Sequence, residues 1–280
     1  MLLRLAADRG RPDFVRQAAI PLAALWLTAC GAEPRREPGP AVVGQTLHYV
    51  RSNIDGTQPE HVYMHRSAPD RIAVYKMVAP CTHAALVTAT VDPGTGEASR
   101  LEAASLQPDG TGEPYGTLLF DGERLTAKVD MDGQAIESQV QVESRPWHLY
   151  DYDLATLAAM TQATQPEGDF DFSLALVWVD PANPGDFLRW LGAAHARLAG
   201  EETHEGRMTR RFEVEGAAFG SAGGGPMWLD SVTGRIVDVQ WHRPNHSDYT
   251  SFRLRLVGEE PGGEAAWDAL LRRHFAGCPA

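Results

Sequence analysis

Apolar and polar residues alternate along most of this chain, and clusters of Gly, Pro, Asn and Asp punctuate the alternation. That is the pattern of short strands joined by turns. Residues 45–51 predict a first strand, and Asn53-Ile54-Asp55-Gly56 a turn. Val62 and Met64 then alternate with His61, Tyr63 and His65. Further strands are predicted over 71–78, 84–91 and 101–106, with turns at Asp92-Pro93-Gly94-Thr95-Gly96 and Pro108-Asp109-Gly110-Thr111-Gly112. Asp121-Gly122 and Asp132-Gly133 separate runs 117–120, 125–129 and 136–142. An Asp-Gly step between alternating runs is a strong hairpin indicator, so these strands are antiparallel neighbours.

A helical spacing interrupts at 154–162, with Asp153 placed to cap it. Phe170, Phe172, Leu174, Leu176 and Trp178 then share one face of a strand, opposite Asp171, Ser173, Ala175 and Val177, and Asp180-Pro181 ends it. Residues 183–191 predict a short helix with Pro184 and Asp186 in its first turn. Strands 194–201 and 208–215 are joined by His204-Glu205-Gly206, and the Gly-rich stretch 216–225 reads as a flexible loop. Strands 227–229, 235–241 and 250–257 follow, then an amphipathic helix over 265–275. The expected fold is mainly β, a β-rich α+β chain of roughly eleven to thirteen strands and two or three short helices. So large an antiparallel sheet curls. An open or half barrel is expected, with one helix covering the concave face and no internal domain boundary.

Composition adds a location. Arg4, Arg9, Arg11 and Arg16 precede the apolar stretch 18–29, which is too short to span a bilayer. The pattern is that of a secretory signal. Leu27-Thr28-Ala29-Cys30 resembles the bacterial lipobox, which implies cleavage before Cys30 and acylation of that cysteine. Gly31, where an Asp would imply inner-membrane retention, implies the periplasmic face of the outer membrane. The expected organisation is a signal peptide (1–29), a lipidated Cys30 with a Pro- and Gly-rich tether (30–41), and one β-rich periplasmic domain (42–280).

The formal net charge is -12; removing the four Arg and two Asp of residues 1–29 leaves -14. An acidic body does not suit a nucleic-acid partner, and it stands off an anionic membrane surface. With Cys30 acylated, Cys81 and Cys278 form an even pair in an oxidising compartment, and a disulfide between them is expected. Only Lys76 and Lys128 are lysines, which fits an Arg-biased coding preference and suggests no function.

Met227-Trp228-Leu229-Asp230-Ser231-Val232-Thr233-Gly234-Arg235-Ile236-Val237 resembles the apolar-Trp-apolar-Asp-x-x-Thr-Gly hairpin of the lipoprotein-carrier (Lol-like) superfamily. Asp92 to Gly96 repeats the turn. The resemblance implies an unclosed antiparallel barrel whose concave side holds acyl chains under helices.

Catalytic motifs are missing from the sequence. Phe219-Gly220-Ser221-Ala222-Gly223 lacks the first Gly of a nucleophile elbow, and there is no HExxH, Walker or dinucleotide fingerprint. His61 and His65, four residues apart on a strand, lie about 13 Å from each other, too far for one ion. A solvated strand face is expected for them. His242 and His246 flank a turn but lack a third ligand. Asp151 and Asp153 read as helix-capping residues rather than a calcium site. No catalytic residue, metal or cofactor is expected. The candidate ligand-binding residues are Phe170, Phe172, Leu174, Leu176, Trp178 and Trp241, as walls of an acyl-chain cavity. The expected function is non-enzymatic binding of a lipid, an acyl chain or a lipidated client. The alternative is an envelope structural or regulatory protein acting through protein contacts. An enzyme would require a pocket that gathers perturbed titratable groups.

Overall fold

The computed structural model describes residues 42–279 apart from 132 and 179–184. The alternating runs fold into β1 (Thr46–Ser52), β2 (Glu60–Ala68), β3 (Arg71–Met77), β4 (Ala84–Val91), β5 (Ala98–Leu106), β6 (Gly112–Phe120), β7 (Arg124–Met131) and β8 (Gln134–Gln141). After these come β9 (Trp147–Leu149), β10 (Phe170–Val177), β11 (Leu188–His204), β12 (Arg207–Glu215), β13 (Gly225–Asp230), β14 (Ile236–Trp241) and β15 (Phe252–Glu260). Two α-helices, α1 (Ala155–Thr164) and α2 (Gly263–Arg273), and two 3-10 segments, Tyr150–Tyr152 and Ala217–Ala222, complete the described elements.

All fifteen strands belong to one sheet, in the order β8-β7-β6-β5-β4-β3-β2-β1-β15-β14-β13-β12-β11-β10-β9. Each neighbouring pair is antiparallel except β9 and β10. Chain length forces this sheet to curl. Laid flat at about 4.8 Å per strand, its edges would be about 67 Å apart. Residues 142–146, which join edge strand β8 to edge strand β9, reach at most about 20 Å. The two arms accordingly meet: the Leu188 N–H on β11 donates to Ser138 Oγ on β8 at 3.3 Å. Arg145 in the connection forms a bidentate pair with Glu97, at 2.8 and 2.6 Å, in the β4–β5 turn. Among the described residues no ladder links β8 to β9, so the barrel stays open.

The inner face wraps around α1. Eight of that helix's ten residues are buried, the condition of a helix enclosed on all sides. The main core joins α1 to apolar residues from both arms, including Leu47, Tyr49, Val62, Val74, Leu125, Leu174 and Leu254. The two Asp-x-x-Thr-Gly turns fix the helix. Asp92 Oδ1 accepts the Gly94 and Thr95 N–H groups, and Asp230 Oδ1 accepts those of Val232 and Thr233. Gly96 and Gly234 end these turns with φ of +69° and +67°. A Cβ on Gly96 would lie 2.2 Å from the Thr156 carbonyl oxygen, and one on Gly234 2.1 Å from that of Thr161. The repeated motif thus provides two backbone surfaces on which α1 rests.

The outer face of β2 and β3 is covered as well. Tyr63, Ala73 and Tyr75 pack with Ala84 and Leu106 against Trp267, Leu270 and Leu271 of α2. A disulfide, Cys81–Cys278, ties the end of that helix to the β3–β4 turn, as expected. The Cys81 N–H also donates to the His274 carbonyl at 3.1 Å.

Several expectations are corrected. The predicted helix at 183–191 is strand from Leu188 onward, because Leu188 and Trp190 pair with Val177 and Ala175. The packing of β10 overrides the local spacing there. Asn183, Pro184, Asp180, Pro181 and Asp132 lie outside the described residues, as do the signal segment, Cys30 and the tether. His65 does not sit on a solvated face, because Trp267 of α2 covers it, and His61 is half-buried. His65 is fully buried, bonded to Thr46 Oγ1 and Glu264 Oε2 at 2.8 Å each and stacked on Trp267. His61 bonds His48 at 2.9 Å. The Gly-rich stretch 216–225 is not simply a loop, since its 3-10 segment buries Phe219 against Trp241. Asp153 caps nothing: α1 starts after Leu154 with no side-chain cap.

Candidate ligand cavity

Asp153 instead anchors a buried charge network, and the strand period supplies its partners. Side chains two apart share a strand face. Leu47, Tyr49 and Arg51 therefore line up on β1, Glu60, Val62 and Met64 on β2, and Ile72, Val74 and Lys76 on β3. Each row is apolar in its middle and carries one charge at the same end. The register places Arg51 opposite Glu60, and Val62 opposite Lys76. Arg51 pairs with Glu60 at 2.5 Å and with Asp153 at 3.3 Å, and its guanidinium lies 4.3 Å over the Tyr249 ring. Lys76 Nζ lies 2.9 Å from Asp153 Oδ2 and donates to the Asp151 carbonyl at 2.8 Å. Asn245 donates to Asp153 Oδ1 and to the Tyr150 carbonyl.

Burial alone would neutralise these groups. It raises the Asp153 carboxyl, but Lys76 and Arg51 outweigh it and hold the group below its ordinary value. Burial likewise lowers Lys76 and Arg51, and their carboxylate partners return both above the usual value. Asp151 differs. Burial pushes its carboxyl up to about 6, against the opposing pull of the Val177 N–H and Lys76. Its Oδ1 accepts that amide at 3.0 Å.

This network forms one end of a cavity of about 330 Å³ on the inner face, lined at that end by Arg51, Glu60, Lys76, Asp151 and His246. The walls are mainly apolar, with Val87, Leu101, Leu118 and Val129 from one arm and Leu149 and Val177 from the other, and they also carry His83, Tyr115 and Thr117. The space exists because the lining residues Ala85, Ala103, Gly116 and Ala127 are small. Elsewhere α1 and the aromatic side chains fill the curl. Tyr152 borders the cavity, and its hydroxyl lies 3.2 Å from the carbonyls of Ile72 and Val87. Its volume is at the low end of the roughly 300–1,000 Å³ of small-molecule sites, room for one chain rather than two.

The six aromatic and aliphatic residues singled out from sequence do not line this cavity. Phe172, Leu174 and Trp241 are packed core. The Trp241 ring sits 5.0 Å from Phe219, 5.6 Å from Tyr150 and 6.3 Å from Phe172. Phe170 packs edge-on against Phe212 at 5.2 Å. Leu176 and Trp178 border a separate depression with Arg189, Phe219 and Arg243. Both faces of β10 are buried, so its larger side chains entered the core while Val177, on the face assigned to solvent, reached the cavity.

Two other groups were tested as sites. His204, Glu205 and Asp238 converge within 4.8 Å, but Arg253 already holds Asp238 through Nε and Nη2 at 3.1 and 2.8 Å. The guanidinium occupies the place a cation would take. His242 bonds the Gly224 carbonyl and His246 lies 3.5 Å from Asp248, so the two are engaged separately.

No family model matches the sequence, and none of the characterised proteins compared with it is similar. Fold and site define an open, curled antiparallel sheet with a largely apolar cavity that a charge network borders.

Proposed function

We propose that this is a non-enzymatic lipoprotein, anchored to the periplasmic face of the outer membrane through acyl chains on Cys30, that binds a single-tailed hydrophobic ligand in its half-barrel. The observation that carries the binding reading is the 330 Å³ cavity, with mainly apolar walls and a polar end. The Leu27-Thr28-Ala29-Cys30 sequence supports the anchor, and the Cys81–Cys278 disulfide suits an oxidising compartment. The resemblance of residues 227–237 to the Lol-like hairpin and the open sheet support a carrier.

The test is native mass spectrometry of residues 31–280 exported to the periplasm without the acylated cysteine. Adducts with fatty-acid or single-chain lipid masses are expected, and Ala103→Trp, which fills the cavity, removes them. A clean apo mass in the parent protein overturns the reading. One observation favours a second reading, acid–base catalysis: the raised Asp151 carboxyl beside Lys76 in the lining of a cavity. Under it, an adduct's mass converts with time to that of its reaction product, and Asp151→Asn stops the conversion.

A further inference from the structure

The polar end of the cavity narrows the kind of head group it can receive, an inference that rests on the cavity being a binding site. The charges there are already matched. Arg51 and Lys76 oppose Glu60 and Asp153, all within 3.3 Å contacts. Breaking into a buried, paired network is strongly unfavourable. Beside this network, and among polar lining side chains that include Tyr115, Thr117, His83 and His246, Lys76 and Asp151 each keep one polar position for a ligand. An ammonium has three donors, and Lys76 directs two of them to Asp153 and the Asp151 carbonyl. Asp151 has committed Oδ1 to the Val177 amide. Among the described residues the hydrogen bonds of the Asp151 carboxylate all go to Oδ1, which leaves Oδ2 without a protein partner in a residue that lines the cavity. One donor and one acceptor are thus left over on two residues that line the same cavity.

We propose that the cavity selects an uncharged single-tailed amphiphile with a hydroxyl head, which accepts from Lys76 Nζ and donates to Asp151 Oδ2 while its chain lies between the two arms. A carboxylate head fits the Lys76 donor but meets Asp151 as a like charge. An ammonium head fits Asp151 but meets Lys76. An ether or ester accepts from Lys76 and leaves Asp151 without a donor. Only a hydroxyl satisfies both positions without adding charge to a closed network.

Four probes of equal tail length separate these cases: 1-decanol, decyl methyl ether, decanoate and decylammonium, titrated calorimetrically against residues 31–280 at pH 8. Decanol is expected to bind at least tenfold more tightly than each of the others, which is about 1.4 kcal/mol. In Asp151→Asn the amide oxygen keeps the Val177 bond and the NH2 group turns to the cavity. The gap between decanol and its ether then falls below about threefold, with unchanged circular dichroism, because the acceptor has become a donor.

Decanoate or decylammonium binding as tightly as decanol overturns the proposal, as does a decanol–ether gap that survives Asp151→Asn. Equal binding of all four probes that Ala103→Trp abolishes refutes the head-group selection and leaves the cavity reading standing. Failure of every probe to bind the parent protein removes the cavity reading and this proposal with it.

Discussion

Gly234→Ala tests whether the Asp-x-x-Thr-Gly turns hold the central helix. Gly234 has φ +67°, and an added Cβ would lie 2.1 Å from the Thr161 oxygen, 2.9 Å from its carbonyl carbon and 3.2 Å from Gln162 Cα. All three atoms are backbone of α1, so no side-chain rotation relieves the overlap. Three effects contribute. The left-handed conformation costs an alanine about 1–2 kcal/mol. Displacing a packed backbone costs about 1–3 kcal/mol, as overpacking does. The smaller entropy of the unfolded chain returns about 0.4–1 kcal/mol. The net loss is about 1–4.5 kcal/mol, centred on about 3, or about 5–12 °C in Tm at that centre for a domain of this size.

Gly56→Ala is the control. Gly56 also has positive φ, +84°, but nothing lies within 4 Å of its Cβ position, so it reports conformational cost alone. Urea and thermal unfolding followed by tryptophan fluorescence measure both variants. If Gly234→Ala loses no more than Gly56→Ala, the turn does not support α1 and the helix is held by its apolar contacts only.

Other expectations follow from the same structure. Gly96→Ala meets the Thr156 oxygen at 2.2 Å and is expected to match Gly234→Ala within about 1 kcal/mol in urea unfolding, since both reflect the same overlap. Lys76→Met leaves Asp153 with Arg51 as its remaining charged partner; a loss of about 3–5 kcal/mol is expected in urea unfolding, relieved in part by adding Asp153→Asn. The Cys81–Cys278 bridge closes a separation of 197 residues, and reduction or Cys81→Ala/Cys278→Ala is expected to cost up to about 5 kcal/mol in the same assay.

His148 is buried with neither ring nitrogen bonded, and burial holds it down to about 3. The unfolded chain therefore takes up the proton first. This contribution to stability is present above about pH 6.5 and is lost as pH falls toward 3, at up to about 1.4 kcal/mol per pH unit. Asp151, raised to about 6, acts in the opposite sense below that pH, because the folded state binds its proton first. Urea midpoints at pH 7 and 5 should show the parent protein losing about 2 kcal/mol more than His148→Leu over that interval.

The sheet was legible in the sequence because two-residue periodicity and Asp-Gly turns are local. They gave the strand segments, the antiparallel neighbours and the curl, and the lone even pair of cysteines gave the bridge. The helix at 183–191 failed because Phe187, Leu188 and Leu191 have helical spacing, whereas the backbone of 188–190 is committed to pairing with β10. A short apolar run does not distinguish the two cases. The expectation for His65 on β2 failed for a different reason. Alternation identifies two faces, but it assigns the polar one to solvent, and here α2 covers that face at His65.

The cavity carries the same lesson further. When both faces of a strand are buried, bulky aromatic side chains mark where the interior is full, as around Trp241. A cavity is marked instead by small residues on inner rows, such as Ala85, Ala103, Gly116 and Ala127, together with charges that end otherwise apolar rows. Arg51, Glu60 and Lys76 end such rows on three successive strands, but nothing in the sequence analysis singles them out: Lys76, one of two lysines, reads there as coding bias. What the sequence lacked was Asp153, whose left-handed backbone before α1 turns its carboxylate away from the helix end and toward those three strands. Capping and ion pairing use the same residue type at the same distance from a helix start. The φ of the residue decides between them, and that is fixed by how the helix packs inside the curled sheet.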